Sequence, residues 1–167
     1  MNIPVKKLRE RAILPVRGSE QAAGYDLHAC LEKPESVIIW PNQNYKIPTG
    51  IAVAIPDGCF GAIFARSGLA AKQGLRPANC VGVIDSDYRG EIIVALHNDS
   101  ETDRIITNGD RIAQLVIMPY LRAEYTEADE LDETKRGDGG FGSTGTSTTV
   151  IMSSEYEQSS LFDTPKQ

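Results

Sequence analysis

Between Arg136 and Gly145 the chain reads Arg-Gly-Asp-Gly-Gly-Phe-Gly-Ser-Thr-Gly, five glycines around one guanidinium, one aromatic ring and a Ser-Thr pair. These residue types suit an anion. Glycines such as Gly142 let backbone N–H groups come close to phosphate oxygens, the hydroxyls of Ser143 and Thr144 add donors, and Arg136 supplies a planar fork of positive charge. Phe141 has no use in a plain linker, whereas a loop closing over a nucleotide can lay that ring on the base. The segment is not a Walker loop, because no Gly-Lys-Ser/Thr follows and no strand runs into it. Taken alone, it competes with the reading of a flexible Gly/Ser linker.

Other residues could serve the same chemistry. Asp85, in Asp85-Ser86-Asp87, could accept a proton from water and aim it at phosphorus, although such a triplet also reads as an ordinary turn. Tyr88 could lie beneath a sugar ring or be a half-buried strand aromatic. Arg66 could neutralise polyphosphate while Ser67 and the N–H of Gly68 donate at a helix entrance; Ser67 would equally serve as an ordinary helix cap. Gln114 by itself is a polar residue on a sheet face.

The elements that must position these residues are mainly strands. Apolar, β-rich runs cover Val37 to Trp40, Tyr45 to Ile55, Cys59 to Ala65, Asn79 to Ile84, Glu91 to His97 and Arg111 to Tyr120. Turn signals at Pro48-Thr49-Gly50, Pro56-Asp57-Gly58, Asp85-Ser86-Asp87 and Asn108-Gly109-Asp110 separate them, a spacing that predicts an all-β sandwich, jelly roll or barrel. Only Leu69 to Gly74 looks helical, with Gly74 as its stop. Residues 1–123 form the expected core. Residues 124–135 form an acidic connector, 136–145 the glycine loop, and 146–167 a polar tail expected to be disordered.

With 167 residues and 41% hydrophobic composition the chain can fill the core of one domain. A formal charge of −6 excludes a general nucleic-acid or anionic-membrane binder, so a phosphate site must be a local cluster of Arg and Lys. Cys30, Cys59 and Cys80 are an odd, widely spaced set, read as small core hydrophobes and not as disulfides or a zinc site. His28 and His97 lack ligand spacing. With no apolar leader and no membrane-length apolar run, a cytoplasmic protein is expected.

Five segments occur in a fixed order: Ala23-Gly24-Tyr25-Asp26-Leu27, Ala65-Arg66-Ser67-Gly68-Leu69-Ala70, Gly82 to Gly90 around Asp85 and Tyr88, Gly109-Asp110-Arg111-Ile112-Ala113-Gln114-Leu115, and the glycine loop. Together they closely resemble the trimeric dUTP pyrophosphatases, the dUTPases, over about residues 3 to 145. That resemblance implies an all-β, jelly-roll-like distorted barrel, assembled as a homotrimer with a mobile C-terminal Gly-rich arm that closes over a site formed by two other chains. It implies hydrolysis of dUTP to dUMP and pyrophosphate, limiting uracil in DNA and supplying dUMP for dTMP synthesis.

Under the resemblance Asp85 holds the attacking water and the sugar 3′-hydroxyl, Tyr88 packs against the deoxyribose, and Gln114 and Arg136 act beside the phosphates. Arg66, Ser67 and Gly68 bind phosphate; Phe141, Gly142, Ser143 and Thr144 close the lid. Uracil is read by an apolar hairpin around Ala78-Asn79-Cys80-Val81, through its backbone and Asn79, with Val81 part of the pocket. Mg²⁺ sits mainly on phosphate and water and reaches Asp26 through water. Where these enzymes often have proline, this chain has Ala65, which changes backbone stiffness and removes no reacting group. A related dCTP deaminase and a dUTP-dependent regulatory protein are the alternatives. Beyond the resemblance, Gln158, Leu161 and Phe162 fit the short QxxLF peptide by which many bacterial proteins dock on the DNA sliding clamp.

Overall fold

The computed structural model describes residues 1–140; Phe141, Gly142, Ser143, Thr144 and the tail positions Gln158, Leu161 and Phe162 lie outside the described residues. The chain divides into two compact units, one from Met1 to Glu124 and a second beginning at Tyr125. The first unit holds twelve strands and one helix in the order β1 (Val5–Lys7), β2 (Val16–Arg17), β3 (Tyr25–His28), β4 (Ser36–Ile39), β5 (Asn44–Pro48), β6 (Ile51–Val53), β7 (Cys59–Phe64), α1 (Ser67–Gln73), β8 (Leu75–Pro77), β9 (Gly82–Ile84), β10 (Ile93–Asn98), β11 (Arg104–Thr107) and β12 (Arg111–Pro119).

All strand pairs are antiparallel, as expected of a chain in which turns link successive strands. Five strands form the sheet β2-β3-β12-β7-β9, three form β5-β10-β8, and the pairs β1-β6 and β4-β11 complete the framework. Alternation directs one face of each strand inward. In β10, Val94, Leu96 and Asn98 are buried while Ile93, Ala95 and His97 are less so. The core gathers Leu27, Ile39, Ile47, Ile51, Leu96 and Ile112 from both larger sheets and from β4 and β6. Asn98 is buried but fully bonded: its amide donates to Ile39 O and Thr102 O at 2.8 and 2.9 Å, and its oxygen accepts from the Ser100 N–H and hydroxyl. A buried amide left unpaired would cost far more than an apolar side chain in its place.

The expected run from Tyr45 to Ile55 is two strands, because Gly50 takes φ +70° and turns the chain between β5 and β6. The segment around Ala78-Asn79-Cys80-Val81 is not a hairpin. Strand β8 pairs with β10 and β9 pairs with β7, so these residues form a tight crossing between two sheets, with Cys80 at φ +55°. Among the cysteines only Cys30 is buried; Cys59 is half-buried and Cys80 exposed, so Cys80 is not a core residue, and all three are free thiols. No helix among the described residues is long and apolar enough to cross a membrane.

Candidate active site

The first-motif aspartate is the centre of a charge cluster. Asp26 lies on β3 with only 4% of its surface exposed, and its carboxylate is bracketed by cations. Arg66 Nε donates to Oδ1 at 3.0 Å, Arg111 Nη1 to Oδ2 at 3.2 Å, and Gln114 Nε2 lies 3.4 Å from Oδ1. A β-bulge explains how Arg111 and Gln114 reach the same carboxylate. Between Arg111 and Ala113 the β12–β3 register shifts, so residues three apart on β12 face one side. Gln114 also needs Gly24: a Cβ there would meet the Gln114 side chain at 3.3 Å.

Arg66 joins β7 to α1. It is the N-cap of the helix, with extended backbone (φ −83°, ψ 125°) and no side-chain cap, so Ser67 is the first helical residue and does not cap the turn. The first intrahelical bond runs from Ala70 N to Arg66 O at 3.0 Å. The N–H groups of Ser67 and Gly68 therefore have no acceptor within the helix, and both residues are exposed. Two guanidiniums thus meet at one buried carboxylate, which offsets only one of their two charges, and the helix that starts directly after Arg66 leaves two amide donors without an intrahelical acceptor. The arrangement suits a polyanion.

Asp85 and Tyr88 stand apart from this cluster. In the β7–β9 ladder Gly82 faces Ile63 and Ile84 faces Gly61, so the chain leaves β9 towards Asp85 at one end while β7 runs out to Arg66 at the other. At the strand rise of ~3.3 Å per residue the two ends are roughly 15–20 Å apart. Asp85 is exposed, its carbonyl accepting the Tyr88 N–H at 3.2 Å, and Arg89 braces the turn by donating to Ser86 O at 2.7 Å. Tyr88 is half-exposed, its hydroxyl donating to Glu91 O at 3.0 Å. Asn79 and Val81 precede β9, one of the two edge strands of the five-stranded sheet. An edge strand leaves backbone donors and acceptors unpaired on its outer side, which is what a base edge requires.

In the second unit, Arg136 donates from Nε to Gly139 O at 2.7 Å, and Gly137, at φ +53°, donates to Thr134 O and Oγ1, both at 3.1 Å. The start of the glycine loop is thus a tight turn closed by its own arginine. Residues 125–140 are without regular secondary structure.

Among the described residues no group of three or more His, Cys, Asp and Glu side chains could hold a metal ion. The residues fit an ion carried by phosphate oxygens and water with a single carboxylate nearby, and they do not fit a protein-built cage. His28 is opposite Arg111 in the β3–β12 pair, and burial pushes its imidazole pKa below the usual value, against the opposing pull of Asp26. His97 lies between Asn44 at 2.6 Å and Asp99 at 3.1 Å, remote in register from the cluster. Sequence reasoning missed Arg111. Its place beside Asp26 depends on the bulge, and the one available signal was its position three residues before Gln114.

The fold and cluster define an all-β protein with a phosphate-suited cationic site at one end of a sheet and a carboxylate-tyrosine turn at the other. Residues 10–145 match the dUTPase family. A deoxyuridine 5'-triphosphate nucleotidohydrolase of Desulfitobacterium hafniense is 54% identical over 135 residues, covering 80% of this chain and 88% of that protein. A variant of the Staphylococcus bacteriophage 80alpha dUTPase, solved with dUpNHpp, superposes with a TM-score of 0.78 at 30% identity, covering 86% of this chain and 98% of the other. A variant of the dUTPase from phage phi11 of S. aureus, in which the coordination of a structural Mg(II) ion was described, gives a TM-score of 0.70 at 27% identity, covering 80% and 100%. The chain belongs to the dUTPase family.

Proposed function

We propose that this protein is a dUTP diphosphatase, hydrolysing dUTP to dUMP and pyrophosphate. The carrying observation is the match across residues 10–145 to a family whose relatives are named for this reaction, one of them solved with dUpNHpp, an imido analogue of dUTP. The chemistry of the chain agrees. Arg66 and Arg111, with the helix-entrance amides of Ser67 and Gly68, bind the polyphosphate. Asp85 orients the attacking water towards the α-phosphorus and accepts its proton, Gln114 lies beside the phosphates, and Tyr88 carries the deoxyribose. Asn79 and Val81 border the edge that reads uracil. A bound Mg²⁺ neutralises phosphate charge and fixes the reactive conformer. Asp26 would hold one of its waters; in the protein its carboxylate is bonded to the two arginines.

The distance between the Asp85 turn and the Arg66 cluster within one protomer supports a further reading. One chain supplies Asp85 and Tyr88, a second supplies Asp26, Arg66 and Gln114, and the glycine loop of a third, with Arg136, Phe141, Gly142, Ser143 and Thr144, closes over them. The assembly is a homotrimer acting on free nucleotide in the cytoplasm. Gln158, Leu161 and Phe162 would tether it to a bacterial sliding clamp. Incubating the protein and Mg²⁺ with dUTP, dCTP, dTTP and UTP tests the activity: dUMP and pyrophosphate from dUTP alone are expected, and deamination of dCTP would overturn the reading.

A further inference from the structure

The floor of the Tyr88 turn is held by residues that no part of the proposed reaction uses. Glu91 follows the turn directly, and both of its carboxylate oxygens are taken: Oε1 accepts the Gly50 N–H at 2.7 Å and Oε2 accepts Arg9 Nη2 at 3.0 Å. Arg9 in turn donates from Nη1 to Cys30 O at 2.9 Å. Both side chains are largely buried, at 28% and 18% exposure, so the pair is screened less than a surface one. The next residue, Ile92, donates to Ile51 O at 2.9 Å. The carbonyl of Glu91 is thereby fixed, and it is the acceptor for the Tyr88 hydroxyl at 3.0 Å. The ring lies on Gly90, where a Cβ would come within 2.6 Å of the ring carbon bearing the hydroxyl.

We propose that the Arg9–Glu91 pair is a specificity-determining positioning device that locks the Tyr88 ring at the height where it admits a deoxyribose and rejects a ribose. The inference rests on the reading of Tyr88 as the sugar platform. A platform excludes a 2′-hydroxyl only if it cannot retreat, and the ring has two restraints: the glycine beneath it and the Glu91 carbonyl at its tip. The second is the adjustable one, and beside the Gly50 and Ile92 backbone bonds its side-chain support is an arginine from the N-terminal segment. Arg9 precedes the family match, which begins at residue 10.

The test is the ratio of kcat/KM for dUTP to that for UTP, in the full chain with Mg²⁺. A loss of folded protein lowers both values alike, so the ratio is insensitive to a merely structural role. Arg9→Ala is expected to lower the ratio by up to about tenfold, the effect of one net hydrogen bond, and Arg9→Lys to recover part of it. Tyr88→Phe removes the hydroxyl that the clamp holds. The double variant Arg9→Ala/Tyr88→Phe is therefore expected to fall no further than the worse single variant. An unchanged ratio in Arg9→Ala, with a lowered ratio in Tyr88→Ala, would overturn the clamp and leave the platform standing. An unchanged ratio in Tyr88→Ala would overturn the platform and the clamp together.

Discussion

Asp85 and Arg66 leave opposite ends of one antiparallel ladder, β9 and β7, so a single protomer holds its proposed base away from its proposed phosphate ligand. Asp85→Asn keeps the shape of the turn, whose bonds run from the Tyr88 N–H to Asp85 O and from the Arg89 side chain to Ser86 O without using the Asp85 carboxylate, and removes only the proton acceptor. Nucleotide affinity should stay near wild type while kcat falls by several orders of magnitude, equivalent to roughly 3–6 kcal/mol in the barrier. Single-turnover kinetics beside equilibrium binding of dUpNHpp would separate the two effects; near-normal turnover would remove Asp85 from the role of base.

The Asp26 cluster makes a different prediction. Asp26→Ala leaves Arg66 and Arg111 facing each other without their shared carboxylate, and Arg66 is only 23% exposed. Stability should fall by about 1–3 kcal/mol, seen as a lower urea midpoint with an unchanged slope. Arg111→Ala should be milder in stability, because that side chain is half in solvent, and should raise KM for dUTP more than it lowers kcat.

Much of this architecture was legible in the chain. The long strands β7, β10 and β12 and the stop at Gly74 were readable because apolar alternation and turn residues are local signals. The short strands β1, β2, β3, β8 and β11 were not. They are two to four residues long and carry polar or charged residues such as Lys6, Arg17, Asp26, Arg76 and Arg104, so they are strands only because a neighbour pairs with them. The proposed site follows the same division. Asp26, Arg66, Asp85, Tyr88 and Gln114 stand in recognisable segments, whereas Arg111 meets Asp26 through a bulge and Arg9 meets Glu91 across 82 positions, relationships that only tertiary structure creates. The crossing of Ala78 to Val81 between sheets was equally hidden, since a hairpin and a sheet change use the same turn residues.

Removal of the glycine loop should abolish turnover without unfolding the core. The compact unit ends at Glu124, so truncation before Arg136 removes none of its residues. The circular dichroism and melting of the truncated protein should match those of the full chain while dUTP hydrolysis is lost. Phe141→Ala should weaken binding of dUpNHpp by about 1–3 kcal/mol if the ring stacks on uracil. Normal kinetics after truncation would contradict a catalytic lid.

The tail predicts a binding event independent of catalysis. The full-length protein should bind an immobilised bacterial sliding clamp, and Leu161→Ala/Phe162→Ala should abolish that binding with dUTP hydrolysis unchanged. Three tails on one trimer would add avidity if their spacing matches the ring. Equal binding by both proteins, or by neither, would refute the docking peptide.

The most direct test of a site shared between chains is complementation. Asp85→Asn subunits and subunits truncated before Arg136 are each expected to be inactive alone, and they should be unfolded and refolded together in equal amounts. If base and lid come from different chains, each mixed trimer contains one site with a working base and a working lid. Random mixing should then restore roughly a quarter of wild-type activity. No recovery after native mass spectrometry has demonstrated mixed trimers would contradict the account, because base and lid would then belong to a single chain.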